Sequence, residues 1–144
     1  MYFETLAYEL LNVREKMLQV PVHQEISKIM RGELFVLNYL TEHDGVVHPK
    51  ELSEKLAVST ARIARLLKHM EEEKLIVRIA DAQDSRQVNV QLTEQGSKEI
   101  DIVRKKVFEH TTRLLENLGP DDAKEYIRIQ EKICQCFSDE EKHL

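Results

Sequence analysis

A mainly α fold carrying one small β-hairpin is what this sequence predicts. Three observations lead there. Apolar residues recur at steps of three and four along most of the chain. Only four Gly and three Pro punctuate its 144 residues, so breaks between elements are few. One run, D-S-R-Q-V-N-V-Q-L-T-E-Q-G over residues 84–96, leaves the helical period and alternates at Val88, Val90 and Leu92.

Taken in order, Phe3, Leu6, Leu10, Val13 and Met17 form one apolar stripe. They predict an amphipathic helix that ends near Pro21. Val22, Ile26, Ile29 and Met30 suggest a short helix or a bend over 22–31. Leu34, Val36, Leu37 and Leu40 predict a compact buried helix over 33–43, stopped by Asp44 and Gly45. Val46 and Val47 fit a very short strand. Pro49 suits the first turn of a helix over 49–57, because its missing N–H would be unpaired there anyway. Leu52 and Leu56 are the buried residues of that helix, and Val58 sits in the turn after it. Ser59 or Thr60 then caps the next helix, its hydroxyl accepting a free backbone N–H. Along that helix Ile63, Leu66, Leu67 and Met70 face inward, with Arg62, Arg65 and His69 opposite.

Residues 76–80 and 87–91 are short enough for two hairpin strands around a polar tip at 81–86. Thr93 opens a long helix to about Leu118, striped by Ile100, Val103, Val107, Thr111, Leu114 and Leu118. Gly119 and Pro120 break it. Asp121 and Asp122 start a last helix, acids at the positive end of its dipole. That helix buries Tyr126, Ile129, Ile133 and Phe137, and residues 138–144 form a frayed end. No internal repeat or low-complexity segment interrupts this order.

A helix pair followed by a hairpin with a basic tip is a winged helix-turn-helix, a shape that grips duplex DNA through two grooves. The first and last helices cannot all bury their stripes on so small a module. They are most simply covered by each other and by a second copy of the chain. The expected division is 1–30 for an N-terminal dimerisation helix and bend, 31–96 for the winged helix-turn-helix, and 97–144 for C-terminal dimerisation helices.

Net charge is −5, which argues against indiscriminate coating of nucleic acid. A local basic surface is compatible with it, because salt screens charges beyond roughly 8–10 Å. Residues 59–70 hold Arg62, Arg65 and Lys68 and no acid, while acids gather after Gly119. No stretch approaches the ~20 apolar residues that span a bilayer. Glu4 and Glu9 interrupt any signal-like start. A cytoplasmic protein with no membrane partner is expected. Cys134 and Cys136 make no disulfide framework and diverge on a helix, so partly buried packing is their expected role. The sequence lacks a Gly-rich phosphate loop, a Cys-x-x-Cys and a Gly-x-Ser-x-Gly elbow. No enzymatic activity and no cofactor are therefore expected. The acids Glu71, Glu72 and Glu73 are expected to be a solvated helix end. No two histidines stand at i, i+4, so no ready metal pair is present.

Asp84, Arg86, Leu92, Thr93 and Gly96 match every position of the signature Asp-x-Arg, five residues, Leu-Thr, two residues, Gly. In these residues, and in the order of its helices, the chain resembles the MarR family (multiple antibiotic resistance regulators). Two departures stand out. Lys74 follows Glu71-Glu72-Glu73 where the family often has Gly between recognition helix and wing, and Gln83 and Ser85 make the wing tip less basic.

The resemblance implies a dimeric DNA-binding transcription regulator, a repressor on a pseudo-palindromic operator. Ser59, Thr60, Ala61 and Arg62 would open the recognition helix in the major groove, with Arg65 one turn on; arginine can bind guanine bidentately. Lys68 and Lys50 would meet phosphate, with His48 beside them. Arg86 would enter the minor groove, held by Asp84. Arg78 is a further family-like position, structural in role. The resemblance also implies an effector that alters the spacing of the two heads, a small anionic aromatic, a metal or thiol oxidation. A zinc-sensing member would draw on His23, Glu25, His43 and His110, and a redox-sensing one on Cys134 and Cys136. An alternative from another class is a winged-helix module that docks a protein and never touches DNA.

Overall fold

The computed structural model describes residues 1–44, 46–84 and 86–141, with side chains of the last helix through Ser138. Gly45, Ser85 and residues 142–144 lie outside the described residues, and with them part of the expected helix stop, wing tip and frayed end. The elements are α1 (Tyr2–Met17), α2 (Pro21–Ile29), α3 (Gly32–Glu42), β1 (Val46–Val47), α4 (Pro49–Leu56), α5 (Thr60–Glu72), β2 (Ile76–Ala80), β3 (Val88–Leu92), α6 (Glu94–Leu118) and α7 (Pro120–Glu141). The segment read as a short helix or bend is a helix, started by Pro21 at its N-terminal turn. The second hairpin strand begins one residue later than expected.

The three strands form one antiparallel sheet in the order β1-β3-β2. Ala80 pairs with Val88 and Ile76 with Leu92 across the hairpin, and Val47 pairs with Val90 on the other side of β3. The hairpin is thus anchored to the strand that precedes α4. The chain divides into two compact units, Met1–Val107 and Phe108–Leu144, with α6 running through the boundary.

The core lies in the first unit. Leu37 and Leu40 of α3, Leu52 of α4, Ile63, Leu67 and Met70 of α5, Ile76 and Val90 of the sheet, and Ile100 of α6 are all buried there. Leu66, expected to face inward, is partly buried against the same cluster. Every element of the helix-turn-helix and wing therefore rests on one apolar body, and their exposed faces are held in fixed relation.

Two short motifs fix the joints. At the end of α5, Lys74 adopts a left-handed φ of 64°, the conformation in which glycine is unstrained, while Leu75 N donates to Met70 O at 3.0 Å. At the start of α6, Thr93 Oγ1 lies 2.6 Å from Lys74 O and 3.0 Å from Leu75 O, and accepts from Gly96 N at 3.0 Å. A Cβ on Gly96 would stand 2.2 Å from Leu75 O. The Leu-Thr-x-x-Gly half of the signature is therefore a lock that docks α6 on the first residues of the wing.

The outer helices leave their apolar stripes exposed in the single chain. α1 has no buried residue; Phe3 is 80% exposed and Leu10 54% exposed. On α7, expected to bury its stripe, Ile129 and Ile133 are each 43% exposed and Phe137 65%. Cys134 and Cys136 are exposed free thiols, not partly buried packing residues.

Candidate nucleic-acid interface

α4 and α5 form the helix pair. His48 caps α4, its Nδ1 accepting from Lys50 N at 3.2 Å. Behind α4, Tyr39 donates its hydroxyl to Glu51 Oε1 at 2.5 Å, and this bond pushes the phenol up to about 12. The pair thus pins the first turn of α4 to α3. The tight turn to α5 is made by Ala57, in the left-handed conformation at φ 53°, with Val58 N bonded to Ser53 O at 3.1 Å.

Ser59 is the cap of α5, accepting from Arg62 N at 3.1 Å. Ser59, Thr60, Ala61, Arg62, Arg65 and Lys68 are all exposed, as is Lys50 at the start of α4. Ile63, Leu67 and Met70 hold the opposite face of α5 in the core. No salt bridge to a described residue engages Lys50, Arg62, Arg65 or Lys68. The predicted major-groove residues therefore lie on one exposed, cationic face of α5, in a stretch, 59–70, that itself holds no acid.

His69 lies one turn beyond Arg65 on the same exposed face. It turns toward Glu73 and Glu33, its Nε2 lying 2.7 Å and 3.4 Å from their carboxylates. Burial pushes the Glu33 carboxyl above the usual range, reinforced by a hydrogen bond and like charge from Glu73. Glu71, Glu72 and Glu73 are all exposed, as expected of a solvated helix end, and Glu73 also meets His69. Glu71 meets Arg78 Nε at 3.7 Å, tying the end of α5 to β2 and making Arg78 a strut.

The wing tip is organised by a residue that the sequence reading passed over. Asp81 accepts from Gln83 N at 2.8 Å, from Asp84 N at 3.4 Å and from Asn89 Nδ2 at 3.2 Å. The Gln83 amide, then Asn89, hold its carboxyl below the usual range, with His48 adding nearby positive potential. An aspartate opening a polar turn was the available signal. Asp84 in turn accepts from Arg86 N at 3.0 Å, whereas the Arg86 Nε is 3.8 Å away. Asp84 thus shapes the backbone beneath Arg86, and the guanidinium, 93% exposed, projects into solvent.

The residues weighed for zinc do not gather in the first unit. Glu25 is buried between Lys28 Nζ at 3.5 Å and Lys106 Nζ at 3.3 Å. His43 stacks on Tyr39 at 3.9 Å between ring centroids and bonds the Tyr39 carbonyl. His23 Nε2 and His110 Nδ1 are each buried with no hydrogen-bond partner.

A capped helix pair, an exposed cationic second helix and a hairpin wing are the parts of a winged helix-turn-helix. Residues 29–87 match the MarR family model. The match covers the helix pair and the start of the wing, and the fold is that of a winged helix-turn-helix. Solved structures agree on the fold. A MarR family protein from Bacillus stearothermophilus superposes with a TM-score of 0.75 at 22% identity, over 96% of this chain and 99% of that one. Wild-type MarR from E. coli gives 0.65 at 21% identity, over 89% and 95%. A MepR mutant from S. aureus, bound to an oligodeoxyribonucleotide, gives 0.60 at 24% identity, over 92% and 97%. No curated protein matches the sequence. Among the described residues no helix is long and apolar enough to cross a membrane.

Proposed function

We propose that this chain is a MarR-family regulator, a homodimeric, cytoplasmic transcription repressor that binds a pseudo-palindromic operator and releases it on meeting an effector. The observation that carries this reading is the exposed cationic face of Arg62, Arg65 and Lys68 on α5, with Lys50 exposed at the start of α4, on a chain of net charge −5. In an acidic protein, such a face on the second helix of a helix pair suits major-groove contact. The oligodeoxyribonucleotide bound by the MepR mutant supports the same use of the fold.

Arg62 and Arg65 read base edges, Ser59, Thr60 and Ala61 allow close approach, and Lys50 and Lys68 neutralise phosphate. Arg86 reaches the minor groove from the turn that Asp84 shapes. For the effector, a cavity of about 330 Å³ beside α5 is lined by the apolar Leu56, Val58, Ile63 and Leu66 and by Arg31 and Arg62. It suits a small aromatic anion, which would draw Arg62 away from DNA.

Selection of bound duplexes from a genomic pool, followed by titration of the winner at several salt concentrations, tests the reading. Specific binding should weaken steeply with salt, at a slope of about −0.9 per phosphate neutralised. A protein that selects no duplex at low salt would instead be a winged-helix docking module.

A further inference from the structure

Glu33 in the first turn of α3, His69 in the last turn of α5 and Glu73 at its C-cap meet at the end of the recognition helix remote from Thr60. His69 Nε2 lies 2.7 Å from Glu73 Oε1 and 3.4 Å from Glu33 Oε1, and one ligand atom of each residue lies within 4.8 Å of the others. The Glu73 carboxylate and Glu99 of α6 both add negative potential at Glu33. Like charges in contact need a proton or a cation between them.

The set is more than an acidic patch. An imidazole nitrogen joins two carboxylate oxygens, a donor combination that suits first-row transition ions over calcium or magnesium, which want oxygen alone. The donors come from two helices far apart in sequence, and both helices are fixed by the core. Side-chain exposures of 32%, 42% and 62% leave room for water to complete a coordination shell.

We infer that Glu33, His69 and Glu73 form a binding site for a divalent transition ion of the zinc class, which clamps the recognition helix to α3. An ion of this class binds the imidazole nitrogen and the carboxylate oxygens in their proton-free forms. The site shares no residue with Lys50, Arg62, Arg65 and Lys68 or with His23, Glu25, His43 and His110. The clamp stiffens the end of α5 where it joins the wing.

The test uses the full chain, stripped by a chelator. Cobalt is titrated and read by its visible absorption; zinc is titrated against a chromophoric chelator. Expected are one ion per chain and a loss of at least about tenfold in affinity for both His69→Ala and Glu33→Gln. His43→Ala and His110→Ala should bind as the parent does. Each tenfold excess of free zinc over its Kd should raise the melting midpoint by about 3–8 °C in the parent, and not in Glu33→Gln. Glu33→Gln keeps the shape of its side chain, so it separates lost ligation from lost folding. No uptake by the parent, or unchanged uptake by both variants, overturns the assignment. DNA binding by the stripped protein is measured in parallel, so failure of the regulator reading is scored separately from failure of the metal site.

Discussion

Glycine 96 and lysine 74 show opposite treatments of backbone space at one joint. Gly96 has no room for a side chain, since an added Cβ would meet Leu75 O at 2.2 Å. The obstacle is backbone inside the α6 docking site and cannot swing aside. Gly96→Ala should therefore destabilise the fold by about 3 kcal/mol, through overpacking and loss of the Thr93 lock. Urea unfolding checks this, and an unchanged midpoint would refute the lock. Lys74 is the reverse case, a side-chain-bearing residue at φ 64°. A non-glycine residue there costs about 1–2 kcal/mol, part of which glycine returns as extra freedom when unfolded. Lys74→Gly should gain a net ~0.5–1 kcal/mol in the same assay, with the far-UV spectrum unchanged. Lys74 was visible in the sequence as a departure from the family pattern. That the joint keeps the left-handed turn regardless was not, because it depends on Leu75 N reaching back to Met70 O.

Among the elements, legibility follows the range of the interaction. Pro49, Ser59 and the alternation at Val88, Val90 and Leu92 act within a few residues, and they placed α4, α5 and β3 to within a residue. The cationic face of α5 was legible for the same reason, since helical period alone separates Arg62 and Arg65 from Ile63 and Leu67. Contacts that close only once the chain has folded were not legible. Asp81 meets Asn89 after the hairpin forms, and His69 meets Glu33 after α3 packs on α5.

The wing gives a pH prediction. The folded Asp81 carboxyl is depressed by the Gln83 amide and then by Asn89. Its contribution to wing order is therefore present above the unfolded value of about 3.9 and is lost as pH falls through the lower folded value. The NMR signals of the Gln83 amide and the Asn89 side chain should hold from pH 8 to 5 and move only below about pH 4. Asp81→Asn should abolish that movement; a midpoint above pH 5 would assign it to another group.

The two parts proposed to face DNA should also separate by mutation. Arg65→Ala should reduce discrimination at one base pair by about 1–3 kcal/mol. Arg86→Ala should weaken binding more evenly, lower the salt slope by about 0.9 if it neutralises one phosphate, and alter choice only at flanking A·T steps. Unchanged affinity in both variants would rule out these contacts.

At the scale of the whole molecule, what needs explaining is the apolar surface that one chain leaves in water. Phe3, Leu10 and Val13 on α1 and Ile129, Ile133 and Phe137 on α7 are each at least 43% exposed. Each stripe follows helical period, so each is a continuous face rather than scattered residues, and such faces mark association. A second copy is the economical cover because a two-fold interface uses the same patch twice. The operator reading requires the same thing, since one recognition helix per chain can read a two-fold site only if two heads stand about one turn, roughly 34 Å, apart. Sedimentation should thus find a particle of twice 16.9 kDa, with a melting midpoint that rises with concentration. Leu10→Glu and Ile133→Glu each place a carboxylate twice in the joined faces. Each should cost at least about 3 kcal/mol, more than a hundredfold in dimer dissociation. The winged helix keeps its own core, so these variants should retain helical content and weak, salt-sensitive DNA binding while losing preference for the paired site. A parent that sediments as one chain, or a monomeric variant that still selects the paired site, would separate dimerisation from recognition and refute their coupling.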